Sequence, residues 1–243
     1  SENIITNALF QFLREEKNSI YCVGGHGEKD PRSGQPQLGY SEAASALRNE
    51  NFVVKPFLLA RAERVPEDAA LVVVSGPQTD LLADELDRLS TYLARGGSLL
   101  FMLDPLPVPN LTDFLAQYGV LLDQDIVYDP QNRLFGGDAL SPLVSLYNTG
   151  VAIVKDFQIS TIFPLSRSVE PVIPPPASVL KAEPFCRTGP GSWARFRAGA
   201  ESPQGAVDFE GTKARPGPIS LAVAATINVD HATNADGADG NDP

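Results

Sequence analysis

Cationic side chains are scarce in this 243-residue chain: 19 Lys and Arg stand against 30 Asp and Glu, a formal net charge of −11. No basic cluster offsets that balance, which argues against nucleic acid as a partner and leaves the charge to favour solubility. Part of the deficit is local, since residues 228–243 carry Asp230, Asp236, Asp239 and Asp242 and no Lys or Arg. Cysteine is nearly absent too. Cys22 and Cys186 make no disulfide framework, they leave the redox compartment open, and Cys22, inside an apolar run, is expected to be buried. The two histidines are His26 and His231, the second in the acidic tail, so no His pair forms within the folded body. A zinc site with the usual three or four ligands is therefore not expected. No run approaches the ~20 apolar residues of a membrane-spanning helix, and nothing resembles a signal peptide. The chain starts without Met, directly in a helical pattern, as expected of a piece excised from a longer protein.

What is present describes a globular protein: 43% hydrophobic and 20% charged residues, over a length that allows one large or two small domains. The organising stretch is Ile20 to Glu28, a short apolar strand that stops at Gly24-Gly25-His26-Gly27-Glu28. Residues 3–17 before it carry Ile4, Ile5, Ala8, Leu9, Phe12 and Leu13 on one helical stripe. After the turn come a polar loop and a helix over 41–49, with Ser41 as the expected N-cap. The second strand spans 52–59, where Pro56 suits an edge.

Residues 70–75 and 98–103 read as continuously apolar strands buried on both faces. Between them residues 80–94 form a helix closed by Gly96-Gly97. A short helix over 111–117 and a strand region over 120–128 follow. This alternation predicts an α/β fold, a mostly parallel sheet covered by helices on both faces and joined by right-handed crossovers. The expected domains are an α/β core over 1–130, an extension over 131–227 that adds further strands, and a loose acidic tail over 228–243. Strands are expected over 140–146, 151–154, 179–185 and 219–227. Residues 199–218, rich in Gly and Pro, read as a mobile excursion. Trp193 is expected in the core.

The candidate chemistry sits at strand ends, where clefts form in such sheets. His26 beside Glu28 has the make-up of an acid–base pair. Its turn is not a dinucleotide fingerprint, because it opens a proline-bearing loop rather than a helix. No phosphate-binding Gly-x-x-x-x-Gly-Lys run exists, so no nucleotide or other cofactor is expected. Ser75-Gly76-Pro77 lacks the preceding glycine of a nucleophile elbow, and Pro77 removes an N–H from any oxyanion hole. Ser75 therefore reads as a strand-end hydrogen-bonder. Asp104 ends the fourth strand and is expected in the same crevice as His26. The candidate ligand-binding set is Gly25, His26, Gly27, Glu28, Ser75, Gly76 and Asp104, with no catalytic and no metal residue.

Several segments occur in a characteristic order. They are Ile5-Thr6-Asn7-Ala8-Leu9, Gly25-His26-Gly27-Glu28, Gly39-Tyr40, Val65-Pro66-Glu67-Asp68, Tyr92-Leu93-Ala94-Arg95-Gly96-Gly97 and Leu103-Asp104-Pro105. Gln117-Tyr118-Gly119, Leu134-Phe135-Gly136-Gly137-Asp138, Phe163-Pro164-Leu165-Ser166-Arg167-Ser168 and Ser192-Trp193-Ala194 continue the series. Over residues 3–227 this resembles the auxiliary component of ABC-type transport systems, the gliding-motility-associated (GldG-like) family. The resemblance implies a fold similar to class I glutamine amidotransferase-like domains, but without their nucleophile. It also implies a place on the outer side of the cytoplasmic membrane within a membrane-anchored parent. The implied partners are ABC permease and ATPase subunits, with a small ligand, glycan or peptide as a crevice occupant. Two rivals stay open at this point: a hydrolase using His26 with Glu28 or Asp104, and a vestigial structural scaffold.

Overall fold

The structure, a computed structural model, describes residues 18–35, 39–196, 207–209 and 212–229. The helix expected over 3–17, His231 and nearly all of the acidic tail lie outside the described residues. Contacts divide the chain into two compact units, Ser1–Leu103 and Asp104–Pro243.

In the first unit, β1 (Ser19–Val23), β2 (Val53–Phe57), β3 (Ala69–Ser75) and β4 (Leu99–Met102) form one parallel sheet in the order β2-β1-β3-β4. Crossovers are made by α1 (Ser41–Asn49) and α2 (Ala83–Ala94). The first and last crossovers run in opposite directions along the sheet, so right-handedness puts α1 and α2 on opposite faces. The fold is α/β, this four-stranded parallel sheet being joined in the chain by antiparallel sheets.

One of the two inner strands is β3, whose Val72, Val73 and Val74 are all buried. β-Branched residues suit a pleated surface that is covered on both sides. Pro56 sits on β2, an edge strand, where its missing N–H costs no ladder bond. β4 differs from its expectation. Its apolar run lies at the other edge, with Leu100 and Met102 exposed, so it is half-covered rather than buried on both faces. Ser41 is not the cap of α1: the helix starts at Ser41 itself, and Tyr40 holds the N-cap position without a side-chain bond. Cys22 is half-buried rather than buried.

α2 begins at Ala83, three residues later than its polar lead-in suggests, and packs Leu86, Leu89 and Tyr92 inward. The Tyr92 hydroxyl donates to the Ala69 carbonyl at 3.3 Å, tying the helix to the start of β3. Leu89 has no exposed surface. Leu89→Ala is expected to cost about 2–5 kcal/mol, the range for emptying a fully buried leucine site, read as a lower denaturation midpoint.

The base of this sheet carries a polar cluster on neighbouring strands. Asp68 accepts from Lys55 Nζ, Ser19 Oγ and Tyr21 Oη, each at 2.8 Å. The Lys55 bond above all, helped by the two hydroxyls, lowers the Asp68 carboxyl to about 2 against opposing burial. Because its folded pKa is depressed, its contribution is present above about 4 and is lost as pH falls through about 2. The Asp68 side chain is half exposed, so solvent screening keeps that contribution below about 1 kcal/mol. Asp68→Asn is expected to change the acid-unfolding curve by no more than this.

The second unit is antiparallel. α3 (Pro109–Gln117) starts with Pro109 in its first turn, and Gly119 follows at φ +79°. β5 (Val120–Leu122) then pairs with β10 (Val169–Pro171). β6 (Asp125–Tyr128) lies in the sheet β13-β14-β12-β6, with β12 (Trp193–Phe196), β13 (Val207–Phe209) and β14 (Thr212–Pro216). The strand region over 120–128 is therefore two strands in two antiparallel sheets, and the parallel alternation stops at β4. Its apolar residues alone do not encode which partner a strand finds.

Two-residue strands β7 (Leu143–Val144) and β9 (Thr161–Ile162) pair with each other. β8 (Leu146–Tyr147) flanks β11 (Val179–Arg187), which pairs along its length with β15 (Ser220–Ile227). Residues 152–154 form a helical turn, not a strand. Within the excursion expected over 199–218, β13 and β14 pair as antiparallel strands.

The core of this unit packs Val127, Val144, Cys186, Ala194, Ile219 and Leu221. Burial pushes the Cys186 thiol up to about 12, so it behaves as an apolar side chain rather than a nucleophile. Trp193 is half-buried, not core, and stacks on Tyr128 at 6.5 Å.

Candidate functional site

The glycine turn after β1 is tied down on several sides. Gly24 N–H donates to the Phe57 carbonyl at 2.9 Å and Lys29 N–H to the Ser75 carbonyl at 3.0 Å. The His26 carbonyl accepts from Gln78 N–H at 2.8 Å and Thr79 N–H at 3.1 Å. Two glycines are needed for this path: Gly25 and Gly27 adopt φ +125° and +85°. A Cβ at Gly27 would also stand 2.9 Å from the Gln78 side chain.

His26 is the centre of the arrangement. Its Nδ1 lies 2.9 Å from Glu28 Oε1, and its Nε2 lies 2.9 Å from Glu85 Oε2. Glu28 folds back further, its Oε2 accepting the His26 backbone N–H at 2.7 Å. Both carboxylate side chains are 1% exposed and the imidazole is 10% exposed. Burial, the largest single influence, pulls the imidazole pKa down. The hydrogen bond and charge of Glu28, joined by those of Glu85, outweigh it and raise the pKa above the ordinary value. In the imidazolium both nitrogens donate, one to each carboxylate.

Sequence reading finds His26 and Glu28 but not Glu85, which lies 59 residues from His26. A signal for it exists. Leu82 at the N-cap has no acceptor side chain, and Glu85 three residues on accepts the Leu82 N–H at 3.0 Å, half of a capping box. The positive end of α2 favours a carboxylate there. Doubly wound topology then sets this first turn beside the end of β1.

The remaining candidates fall into other roles. Ser75 is buried, and its hydroxyl donates to the Lys29 carbonyl at 3.4 Å, as a strand-end hydrogen-bonder does. Gly76, at φ +61°, donates its N–H to the Met102 carbonyl at 2.7 Å. Asp104 falls in the second unit, and the two ring nitrogens of His26 are taken by Glu28 and Glu85. What the site can do follows from that occupancy. With both ring nitrogens bonded to carboxylates, the triad forms a clamp that holds the strand-end turn against the start of α2.

Among the described residues no group of three or more His, Cys, Asp and Glu is placed to hold a metal ion, and no helix is long and apolar enough to cross a membrane.

Comparison with known proteins gives the fold and the family. The structure is similar to the mmIFT52 N-terminal domain, with TM-score 0.54 and 18% identity over 82% of this chain and 85% of that one. It also matches a putative ThuA-like protein from Bacteroides uniformis ATCC 8492, with TM-score 0.44 and 13% identity over 73% and 70% of the chains. A third match is the exo-β-1,4-mannosidase Op5Man5 from Opitutaceae bacterium strain TAV5, with TM-score 0.42 and 14% identity over 89% of this chain and 33% of that one. At these identities the first likeness concerns fold alone. No curated protein matches in sequence. One family model, described as "ABC-type uncharacterized transport system", matches residues 17–233. With nearly its whole length matched, the chain belongs to that family and is an auxiliary component of an ABC-type transport system.

Proposed function

We propose that this chain is a non-enzymatic binding module of an export- or gliding-motility-type ABC system, acting on the outer side of the cytoplasmic membrane beside permease and ATPase subunits. The observation that carries the non-enzymatic reading is the double occupancy of His26 by buried carboxylates. A hydrolase would need one ring nitrogen directed at substrate and the other at a single orienting group. Ser75, the nearest hydroxyl at a strand end, is buried and bonded to a backbone carbonyl. The surface that the clamp leaves open is Gly25 and Gly27, both exposed, and this rim is where a partner or ligand would dock. Support for the outer location is the ordered series of motifs shared with the gliding-motility-associated family.

A screen of ester, amide and glycoside substrates is expected to show no turnover. Turnover that disappears in His26→Ala would overturn the non-enzymatic reading. Protease treatment of spheroplasts from the native host is expected to digest this region while leaving cytoplasmic markers whole. Protection until the membrane is lysed would overturn the location.

A further inference from the structure

The second unit contains a cleft of about 190 Å³ lined by Asp129, Gln131, Asn132, Leu143, Ser145, Leu146, Arg187 and Gly189. Its back wall is built from two buried, hydrogen-bonded side chains. Asp129 is 4% exposed, and its two oxygens accept the backbone N–H groups of Gln131 at 3.1 Å and Leu143 at 3.4 Å. Asn132 is 5% exposed, and its Nδ2 donates to the carbonyls of Ser141 at 2.6 Å and Asp138 at 3.2 Å.

Glycines make room for both amides. A Cβ at Gly137 would collide with the Asn132 amide, and one at Gly191 would stand 2.9 Å from Gln131 Nε2. The Gly136-Gly137-Asp138 motif thus finds its physical reason at this cleft. It is the loop that holds Asn132 in place.

The front of the cleft is different in kind. Arg187 is exposed, and the carboxylate paired with it, Glu170, is 3.9 Å away, too far for a hydrogen bond. Beside it Leu146 is 75% exposed, on the two-residue strand that pairs with β11, where Arg187 stands opposite Leu146. An underused guanidinium next to an uncovered aliphatic side chain suits a ligand that has a carboxylate and an aliphatic body. The negative charge of Asp129 is tied to backbone donors behind them. The volume lies below the usual 300–1,000 Å³ of drug-sized pockets, so the cleft takes a single residue rather than an extended chain.

We propose that this cleft binds a small aliphatic carboxylate of the acyl-amino-acid type, such as the leucine-like end of a peptide, with Arg187 on the carboxylate and Leu143 and Leu146 against the side chain. The amide of Gln131 then faces the acyl group. This site is separate from the His26 turn.

Titration of the protein with N-acetyl-L-leucine, followed by amide NMR shifts, tests the assignment. Saturable shifts are expected at residues lining the cleft. N-acetyl-L-leucinamide, which lacks the charge, is expected to bind at least ~10-fold more weakly, as is N-acetyl-L-leucine to Arg187→Gln. Leu146→Ser, at an exposed position that does not threaten folding, is expected to weaken binding several-fold while leaving the remaining spectrum unchanged. Binding of the acid and the amide with equal affinity would overturn the proposal, as would unchanged binding in both variants. So would an absence of saturable shifts, or tighter binding of D-glucuronate, which has the carboxylate but no aliphatic side chain.

Discussion

His26→Ala is expected to lower the unfolding free energy by about 3–5 kcal/mol, the range for removing one partner from a buried ion pair. Two carboxylates, each 1% exposed, would be left facing a void with no cation between them. The effect has a defined pH dependence. The folded-state pKa of His26 is raised, so its stabilising charge is fully present below the ordinary value of 6.5 and is lost as pH rises through the folded pKa. Denaturant unfolding of wild type and variant should therefore differ most below pH 6.5, and the gap should narrow as pH rises through the folded pKa. A gap that stays constant or widens over that range would contradict a charged clamp.

Glu85→Gln refines the test. It keeps an acceptor for the Leu82 N–H but removes the charge opposite Nε2. The His26 pKa measured by NMR should fall in this variant, and should fall further when Glu28 is also replaced by Gln. No movement in either would mean that the carboxylates do not set the protonation of the ring.

Arg167→Ala is the second large expectation, and it concerns the other unit. Arg167 is 4% exposed, and its guanidinium reaches two backbone carbonyls. Nε donates to Asp123 O at 2.8 Å, Nη2 donates to the same oxygen, and Nη1 donates to Leu106 O at 3.2 Å. The side chain thus pins the segment after β4 to the turn between β5 and β6. Next to it, the fully buried Ser168 bonds through its backbone N–H and its hydroxyl to Asp125, which is also fully buried. Burial raises the Asp125 carboxyl pKa despite the bonds from Ser168.

Truncating Arg167 removes charge-assisted bonds worth about 1.5–3 kcal/mol each and leaves a void. The expected loss is about 3 kcal/mol or more, with Arg167→Lys intermediate because an ammonium cannot reproduce the planar fork. Denaturant unfolding followed by Trp193 fluorescence reports on this unit. Equal stability of Arg167→Ala and wild type would show that the carbonyls are satisfied without the guanidinium.

How far the sequence carried these results varies by element. β3 was legible because three consecutive valines bounded by Gly76-Pro77 leave few alternatives, and Pro56 correctly marked an edge. β4 shows the weakness of the same argument. A continuous apolar run reports hydrophobicity, whereas position in the sheet depends on what pairs beyond it, and nothing in Leu99–Met102 encodes that. In the second unit most strands are two to five residues long, too short for a period to show. The helical turn at 152–154 and the pairing of β13 with β14 were misread for that reason.

At the site, His26 and Glu28 were legible because two chemically distinctive residues share one glycine turn. Glu85 was hidden by ordinary helix chemistry. A first-turn glutamate is common, and its second role depends on a contact across 59 residues. Arg167 and Ser168 stood in a quoted motif, but their burial became visible only in three dimensions.

The measurement that tests the account most directly is purification of the protein from membranes of its native host under mild detergent, with identification of what accompanies it. The account predicts recovery of an ABC permease together with its ATPase. A stable, monodisperse protein that brings neither subunit with it would contradict the account.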